Sequence, residues 1–413
     1  MKKLLYIQSN RFNPAECTLK IANTLASDTW LQVLPPEGEK VNIPPNSLPE
    51  GPGIIMSSSG STGGPHQCLQ PCKNLDQSAF ATGQWLKAQG IEPKHSRIFN
   101  PLPIHHVSGF MPWWRSKAWG AHHTWINPAL MRDPYELEQS SQLSLVDKAK
   151  PSLLSLVPTQ LKRLLKNSTG IRWLQSFAVI WIGGSSLPNE LANIARQNGI
   201  RLAPCYGTTE TMAMVTALSP EDFLKGQMSS GSPLSDVELR IGENKALEIR
   251  SRRISTTIFR HGKLENILTK DGWWKSGDSA KIVDNTNLKQ LQIIGRLDSA
   301  INSGGETIFP EHLQQRLVDD AVKAQIPIDS ILFTSMLNDE WGERLVVLIK
   351  LRKKCDIHEL SKIFSELKQL VKHWKPAEKP MAWYHCQSLR MNSNNKWEIK
   401  QWQSWMKINK PIL

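Results

Sequence analysis

The segment Ser57-Ser58-Ser59-Gly60-Ser61-Thr62-Gly63-Gly64-Pro65-His66 combines the ingredients of an anion cradle. Its glycines let backbone N–H groups turn inward, and its serine and threonine hydroxyls add donors. A phosphate held by such fixed dipoles needs no reorganisation of its surroundings. A flexible Ser/Gly linker has the same composition. The segment lacks the Gly-Lys-Ser/Thr ending of a P-loop NTPase. A second segment, Tyr206-Gly207-Thr208-Thr209-Glu210-Thr211, offers an aromatic face for a base, hydroxyls for phosphate and a carboxylate for Mg2+. Gly295-Arg296-Leu297-Asp298 and Ile301-Asn302-Ser303-Gly304-Gly305-Glu306 follow. Each of these reads alone as an ordinary turn, whereas their joint occurrence in this order is hard to assign to chance.

The elements that must carry these segments follow from hydrophobic pattern. Gly53 to Met56 reads as a strand and Asn74 to Gly90 as a helix with Leu75, Ala79, Trp85 and Leu86 on its apolar face. The anion-cradling loop is therefore expected between a strand and a helix. Phe177 to Ile182 is a buried-strand run ending in Gly183-Gly184-Ser185-Ser186, with a helix after Pro188. Ile200 to Pro204 is a further short strand leading into the Tyr206 segment. Strand, glycine turn, helix, strand is the rhythm of an α/β fold. Near residue 298 the texture changes to a helix (311–322), a strand (331–349) and a helix (357–374). The expected organisation is a large N-terminal multi-sheet α/β domain, 1–297, and a small mobile α+β domain, 298–413.

Composition excludes several classes. The chain has 413 residues, 40% apolar and 21% charged, which suits a folded globular protein. No run of about 18 apolar residues exists to span a membrane. The start, Met1 to Tyr6, is too short an apolar stretch for a signal peptide. The six cysteines are scattered without a CxxC pair, so neither a disulfide framework nor a zinc ribbon is suggested, and a reducing cytoplasm is the default. The net charge of +13 favours anionic partners, phosphorylated small molecules among them. It also allows nucleic acid, but no basic stripe with aromatics and no binding motif supports that reading.

Taken in order, Ser58 to Pro65, Tyr206 to Glu210, Ser276-Gly277-Asp278, Gly295 to Asp298 and Asn302 to Glu306 resemble the successive core motifs of the adenylate-forming enzymes. That family includes acyl-CoA synthetases, peptide-synthetase adenylation domains and luciferases. The resemblance runs from about residue 53 to about residue 400. It implies ATP, Mg2+ and a carboxylic acid, with CoA as the acyl acceptor. Carried over by position, Ser59, Ser61, Thr62 and Gly63 would cradle the β and γ phosphates. Gly184, Ser185 and Tyr206 would line the adenine pocket. Thr209 would touch the α-phosphate and Glu210 would hold Mg2+. Asp278 and Arg296 would bind ribose, Asp298 would be the hinge, and Ser303, Gly304 and Gly305 would meet the CoA arm. Lys396 would be the catalytic lysine, preceded by Asn395 where the family usually has glycine. His66 stands where the family usually has lysine, and a neutral imidazole gives pyrophosphate less electrostatic help.

Pro101 to Arg115 resembles the acid-binding stretch of one branch, the o-succinylbenzoate–CoA ligases of menaquinone and phylloquinone biosynthesis. The resemblance implies acid contacts at His106, Ser108, Gly109 and Arg115. A substrate with a second carboxylate needs a cation at the far end of its pocket, and arginine meets it with two parallel hydrogen bonds. A surface residue near a helix end is the other reading of Arg115. His105 and His106 do not read as metal ligands, since neighbours point apart. Other aryl- or acyl-CoA ligases, a carrier-loading adenylation enzyme and a non-catalytic nucleotide-binding protein remain alternatives. Lys368, Lys372, Lys375 and Lys379 fall near helical spacing, as a solvated face or an attractor of CoA phosphates.

Overall fold

The computed structural model describes residues 2–10, 13–25, 29–58, 65–145, 150–285, 288–353, 355–391 and 397–413. Its contacts divide the chain into two compact units, Met1–Ser276 with Ala280–Ile293, and Gly277–Ser279 with Ile294–Leu413. The expected boundary was Leu297/Asp298.

The first unit is built on three sheets. In one, the strands Lys3–Gln8, Thr29–Leu34 and Gly53–Ser58 run parallel, and His66–Pro71, Thr257–Arg260 and Lys263–Asn266 continue it antiparallel. In the next, Leu202–Thr208, Val179–Ile182, Ser152–Leu156, Arg97–Asn100 and His122–Trp125 form a parallel block. Ala213–Ala217 and Ser232–Pro233 extend that block antiparallel. Every residue of Ser152–Leu156 and Val179–Ile182 is buried, as expected of parallel strands covered on both faces. Alternation sends Leu154, Ile180 and Leu202 to one core with Trp173 and Phe177. It sends Leu153, Val179, Trp181 and Ala203 to another. The third sheet orders Glu238–Ile241, Ala246–Arg250, Trp274–Asn285 and Leu288–Arg296.

The second unit carries a sheet of Glu306–Ile308, Ile301–Ser303, Gly342–Leu351 and Ile328–Asn338, with Ala382–His385 parallel to Gly342–Leu351. The helices Pro310–Lys323 and Ile357–Leu370 pack Leu313, Leu317, Phe364 and Leu367 on one face of it. The helix Ile399–Ile408 packs Trp402 and Met406 against Leu332, Val346 and Leu348 on the other. Among the described residues no helix is long and apolar enough to cross a membrane.

Four expectations change. The Ser/Gly loop does not lead into a helix: Gly53–Ser58 pairs antiparallel with His66–Pro71, Ser58 opposite His66, and the helix Cys72–Ala88 begins only afterwards. Alternating burial along His66-Gln67-Cys68 is a strand signal that the helical reading of the following residues obscured. The strand expected at 200–204 runs through Tyr206 and Gly207 to Thr208. It pairs there with Ala213–Ala217 so closely that a Cβ on Gly207 would lie 2.1 Å from the Ala213 carbonyl oxygen. The run 331–349 is two antiparallel strands, because Asp339 to Gly342 turns the chain. The helix expected to reach Trp374 ends at Leu370, so the four lysines from 368 to 379 do not share one helix face.

Replacing Gly207 by alanine must push the Ala213 backbone away. A loss of about 1–3 kcal/mol is expected, as for other overpacked sites, read as a lowered urea midpoint with an unchanged slope.

Candidate active site

Residues two apart on a strand face the same way, and His66, Cys68 and Gln70 therefore point together toward Thr209 and Glu210. The His66 Nε2 lies 2.8 Å from Glu210 Oε1, and the Ser58 hydroxyl donates to the same oxygen at 2.9 Å. The Gln70 amide donates to the Thr209 and Glu210 carbonyls, each at 3.0 Å. Asn74 in turn donates to Gln70 at 2.9 Å. The Ser255 N–H donates to the Glu210 carbonyl at 2.8 Å. Glu210 is thus fixed through both its side chain and its backbone. The following turn holds Met212 and Ala213 at φ +49° and +79°, a strain of about 1–3 kcal/mol for each non-glycine residue. The Ser78 hydroxyl, donating to the Met212 carbonyl at 2.7 Å, helps to hold it.

Burial alone would raise the Glu210 carboxyl. Hydrogen bonds from His66 and Thr208 outweigh burial and leave it below the usual carboxylate range. An ionised carboxylate beside the hydroxyls of Ser58 and Thr208 is a hard oxygen set that fits Mg2+, which keeps most of its waters. His66 has a different place from the one its sequence position suggested. Its imidazole hydrogen-bonds Glu210 and so orients that carboxylate.

Gly183 and Gly184 follow the strand Val179–Ile182, whose Ile182 pairs with Pro204 of the neighbouring parallel strand. Gly184 and Ser185 therefore leave the sheet beside Cys205 and Tyr206, at the carboxyl ends of parallel strands, where α/β sheets bind ligands. Gly184 and Ser185 are exposed and Tyr206 is half-buried.

Arg115 lies on the helix Val107–Trp119 and is 3% exposed, not a surface residue. Its Nε and Nη2 are buried without an acceptor. Its guanidinium carbon sits 5.5 Å from the Trp181 ring centroid. Burial first, and the nearby Arg253 charge second, pull the Arg115 pKa down to about 9. Arg253 has a counter-ion, with its Nε 3.3 Å from Asp236. Among the described residues Arg115 has none. Gly109 has a packing role: a Cβ there would lie 2.2 Å from the Pro103 carbonyl oxygen, and Asn100 donates to the Gly109 carbonyl at 2.7 Å. His106 and Ser108 are exposed, and the His106 carbonyl receives the N–H of Phe110 at 2.8 Å as the helix begins.

In the second unit Arg296 comes within 3.4 Å of Asp278 and holds Asp298 through two bonds of 3.1 and 2.9 Å. Ser303 is fully buried, while Gly304 and Gly305 form the exposed turn between Ile301–Ser303 and Glu306–Ile308. The expected phosphate contacts at Ser59, Ser61, Thr62 and Gly63 and the expected catalytic Lys396 lie outside the described residues. Sequence reasoning did not select Ser58, Cys68, Gln70, Trp181 or Arg253 for the site. Strand alternation from His66 was the one signal that could have found two of them.

The family of AMP-binding enzymes matches residues 5–252, more than half of the chain. The 2-succinylbenzoate–CoA ligase of Listeria monocytogenes is 28% identical over 309 residues, 75% of this chain and 62% of that protein. The Escherichia coli protein of the same name is 30% identical over 293 residues, 71% of this chain and 57% of its own length. The chain thus spans about three fifths of these curated relatives. An o-succinylbenzoate CoA synthetase from Bacillus subtilis, in complex with the acyl-adenylate OSB-AMP, is similar in fold, with a TM-score of 0.74 and 20% identity. That alignment covers 100% of this chain and 89% of the other.

An unpaired buried charge costs stability. Arg115→Met is expected to raise the unfolding free energy of the unliganded protein by about 1–4 kcal/mol at neutral pH. Arg115 binds its proton less tightly folded than unfolded, so wild-type stability climbs as pH passes about 9 and the difference narrows there. Denaturant titrations at pH 7 and pH 10 check both signs. An Arg115→Met protein less stable than wild type at pH 7 contradicts the reading.

Proposed function

We propose, from the premise that this chain belongs to the AMP-binding enzyme family, that it is an ATP-dependent acid–CoA ligase acting on o-succinylbenzoate, a step of menaquinone or phylloquinone biosynthesis. The observation that carries the choice of acid is Arg115, a buried guanidinium whose Nε and Nη2 have no acceptor among the described residues. A dicarboxylic acid supplies two acceptor oxygens in the geometry that a guanidinium fork matches.

In the first step an acid oxygen bonds to the α-phosphorus of ATP. The bond from that phosphorus to the bridging oxygen breaks, and pyrophosphate leaves with the electron pair. Two anions must approach, and like charges about 4 Å apart repel by several kcal/mol at an effective dielectric near 20. Thr209 and the Lys396 ammonium offset that repulsion, and positioning supplies most of the remaining acceleration. Glu210, held by His66 and Ser58, is the ligand for Mg2+, which contributes charge neutralisation when bound. Ser59, Ser61, Thr62 and Gly63 cradle the leaving phosphates. Gly184, Ser185 and Tyr206 receive the adenine, and Asp278 and Arg296 the ribose. In the second step the CoA sulfur bonds to the acyl carbon, AMP leaves with the electron pair of the broken acyl–oxygen bond, and the thiol proton passes to solvent. Residues 298–413 act as a mobile domain hinged at Asp298. It presents Lys396 for the first step and Ser303, Gly304 and Gly305 for the second. The expected location is the cytoplasm, in keeping with six free thiols.

The purified protein should form AMP from o-succinylbenzoate, ATP and CoA, and do so poorly with benzoate or long-chain fatty acids. An acid panel read by pyrophosphate and AMP release separates this reading from other acyl-CoA ligases, and silence with every acid refutes turnover altogether. An Arg115→Ala protein should show a raised KM for o-succinylbenzoate, and an unchanged KM removes Arg115 from the acid site.

Lys396→Ala should abolish adenylation while preformed acyl-AMP is still converted to thioester. Equal loss of both half-reactions removes Lys396 from its role.

A further inference from the structure

We propose that His66, Cys68 and Glu210 form a binding site for a thiophilic divalent cation, with zinc the ion that their chemistry favours. One ligand atom from each, a nitrogen, a sulfur and an oxygen, lies within 4.8 Å of the other two, and all three residues are buried. The arrangement has a structural cause. His66 and Cys68 are two apart on one strand and share its face. Glu210 follows a strand of a different sheet and is pinned against that face through Gln70 and Ser255.

Three protein ligands drawn from imidazole, thiolate and carboxylate, with water in the fourth position, make an open tetrahedral zinc site. Magnesium and calcium prefer oxygen alone, so the sulfur discriminates against them. The nitrogen–oxygen pair needs little movement to fit. Bonds of about 2.0–2.1 Å at a tetrahedral angle place nitrogen and oxygen about 3.3 Å apart. The His66–Glu210 pair at 2.8 Å must open by about half an ångström. On binding, His66 ligates through Nε2 with its proton on Nδ1, and Cys68 gives its thiol proton to solvent. The site is distinct in chemistry from the Mg2+ role of Glu210, yet it uses the same carboxylate. Zinc would therefore withdraw Glu210 from adenylation, a consequence that rests on the proposed function, whereas the binding itself does not.

The metal-free full-length chain is titrated with Co2+ as a spectroscopic probe and then with Zn2+. The expected result is one Co2+ per chain, a thiolate-to-cobalt charge-transfer band with tetrahedral visible bands, and displacement by Zn2+ but not by excess Mg2+. Cys68→Ser should lose the charge-transfer band, Cys72→Ser and Cys205→Ser should keep it, and His66→Ala should weaken binding by more than about tenfold. A band that survives in Cys68→Ser, or no cobalt band at all, overturns the site. If Cys68→Ser fails to fold, zinc X-ray absorption on the wild-type protein decides: one sulfur neighbour upholds the site, and nitrogen and oxygen alone overturn it. Zinc should also suppress acid-dependent pyrophosphate release. Thiolate-ligated zinc without that suppression upholds the site and counts instead against Glu210 in adenylation.

Discussion

The buried carboxylate of Glu210 is the constraint around which the first unit is organised. A carboxylate that is 5% exposed cannot stay ionised without partners, and it draws them from separate parts of the chain. Ser58 and His66 reach it from two strands of one sheet, while Glu210 itself follows the Leu202–Thr208 strand of another. Gln70 and Ser255 hold the adjacent backbone from the same side. The bond that keeps the charge ionised is thus also a tie between two sheets. It places a fixed negative charge beside Ser58 and His66.

Arg115 is the opposite case. Glu210 finds its partners within the chain, but the Arg115 guanidinium is buried against Trp181, and the nearby Arg253 charge has the same sign. Proteins seldom bury a charge unpaired, because desolvation costs several kcal/mol per ion. The simplest physical reason to keep one is a ligand that completes it. The two buried charges differ in this: the Glu210 carboxylate has hydrogen-bond partners within the chain, whereas Nε and Nη2 of Arg115 have none among the described residues.

Much of the organisation was legible in residue order. Glycine-marked segments, the all-apolar strand 179–182 and the helices after Cys72 and Pro188 are local patterns that hydrophobic period and turn chemistry report. The differences have separate physical causes. The Ser/Gly loop was placed before a helix because helical period in the residues that follow is stronger than the short alternation of His66-Gln67-Cys68. The strand carrying Tyr206 was cut short because its polar second half is stabilised by pairing with Ala213–Ala217, which no local pattern announces. The hairpin within 331–349 turns at the polar stretch Asn338 to Arg344, a turn signal that the flanking apolar runs outweigh in a reading by apolar content alone.

By itself the sequence determined the family, the order of the motifs and the chemistry available to each, since these depend on residue type and spacing along the chain. Only the tertiary structure decided that His66 serves Glu210, that Cys68 stands beside them, and that Arg115 is buried without an anion among the described residues. Those facts depend on which strand faces which and on how far water is excluded. Both are set by contacts between residues as far apart as 66 and 210, a separation across which local propensity carries no information.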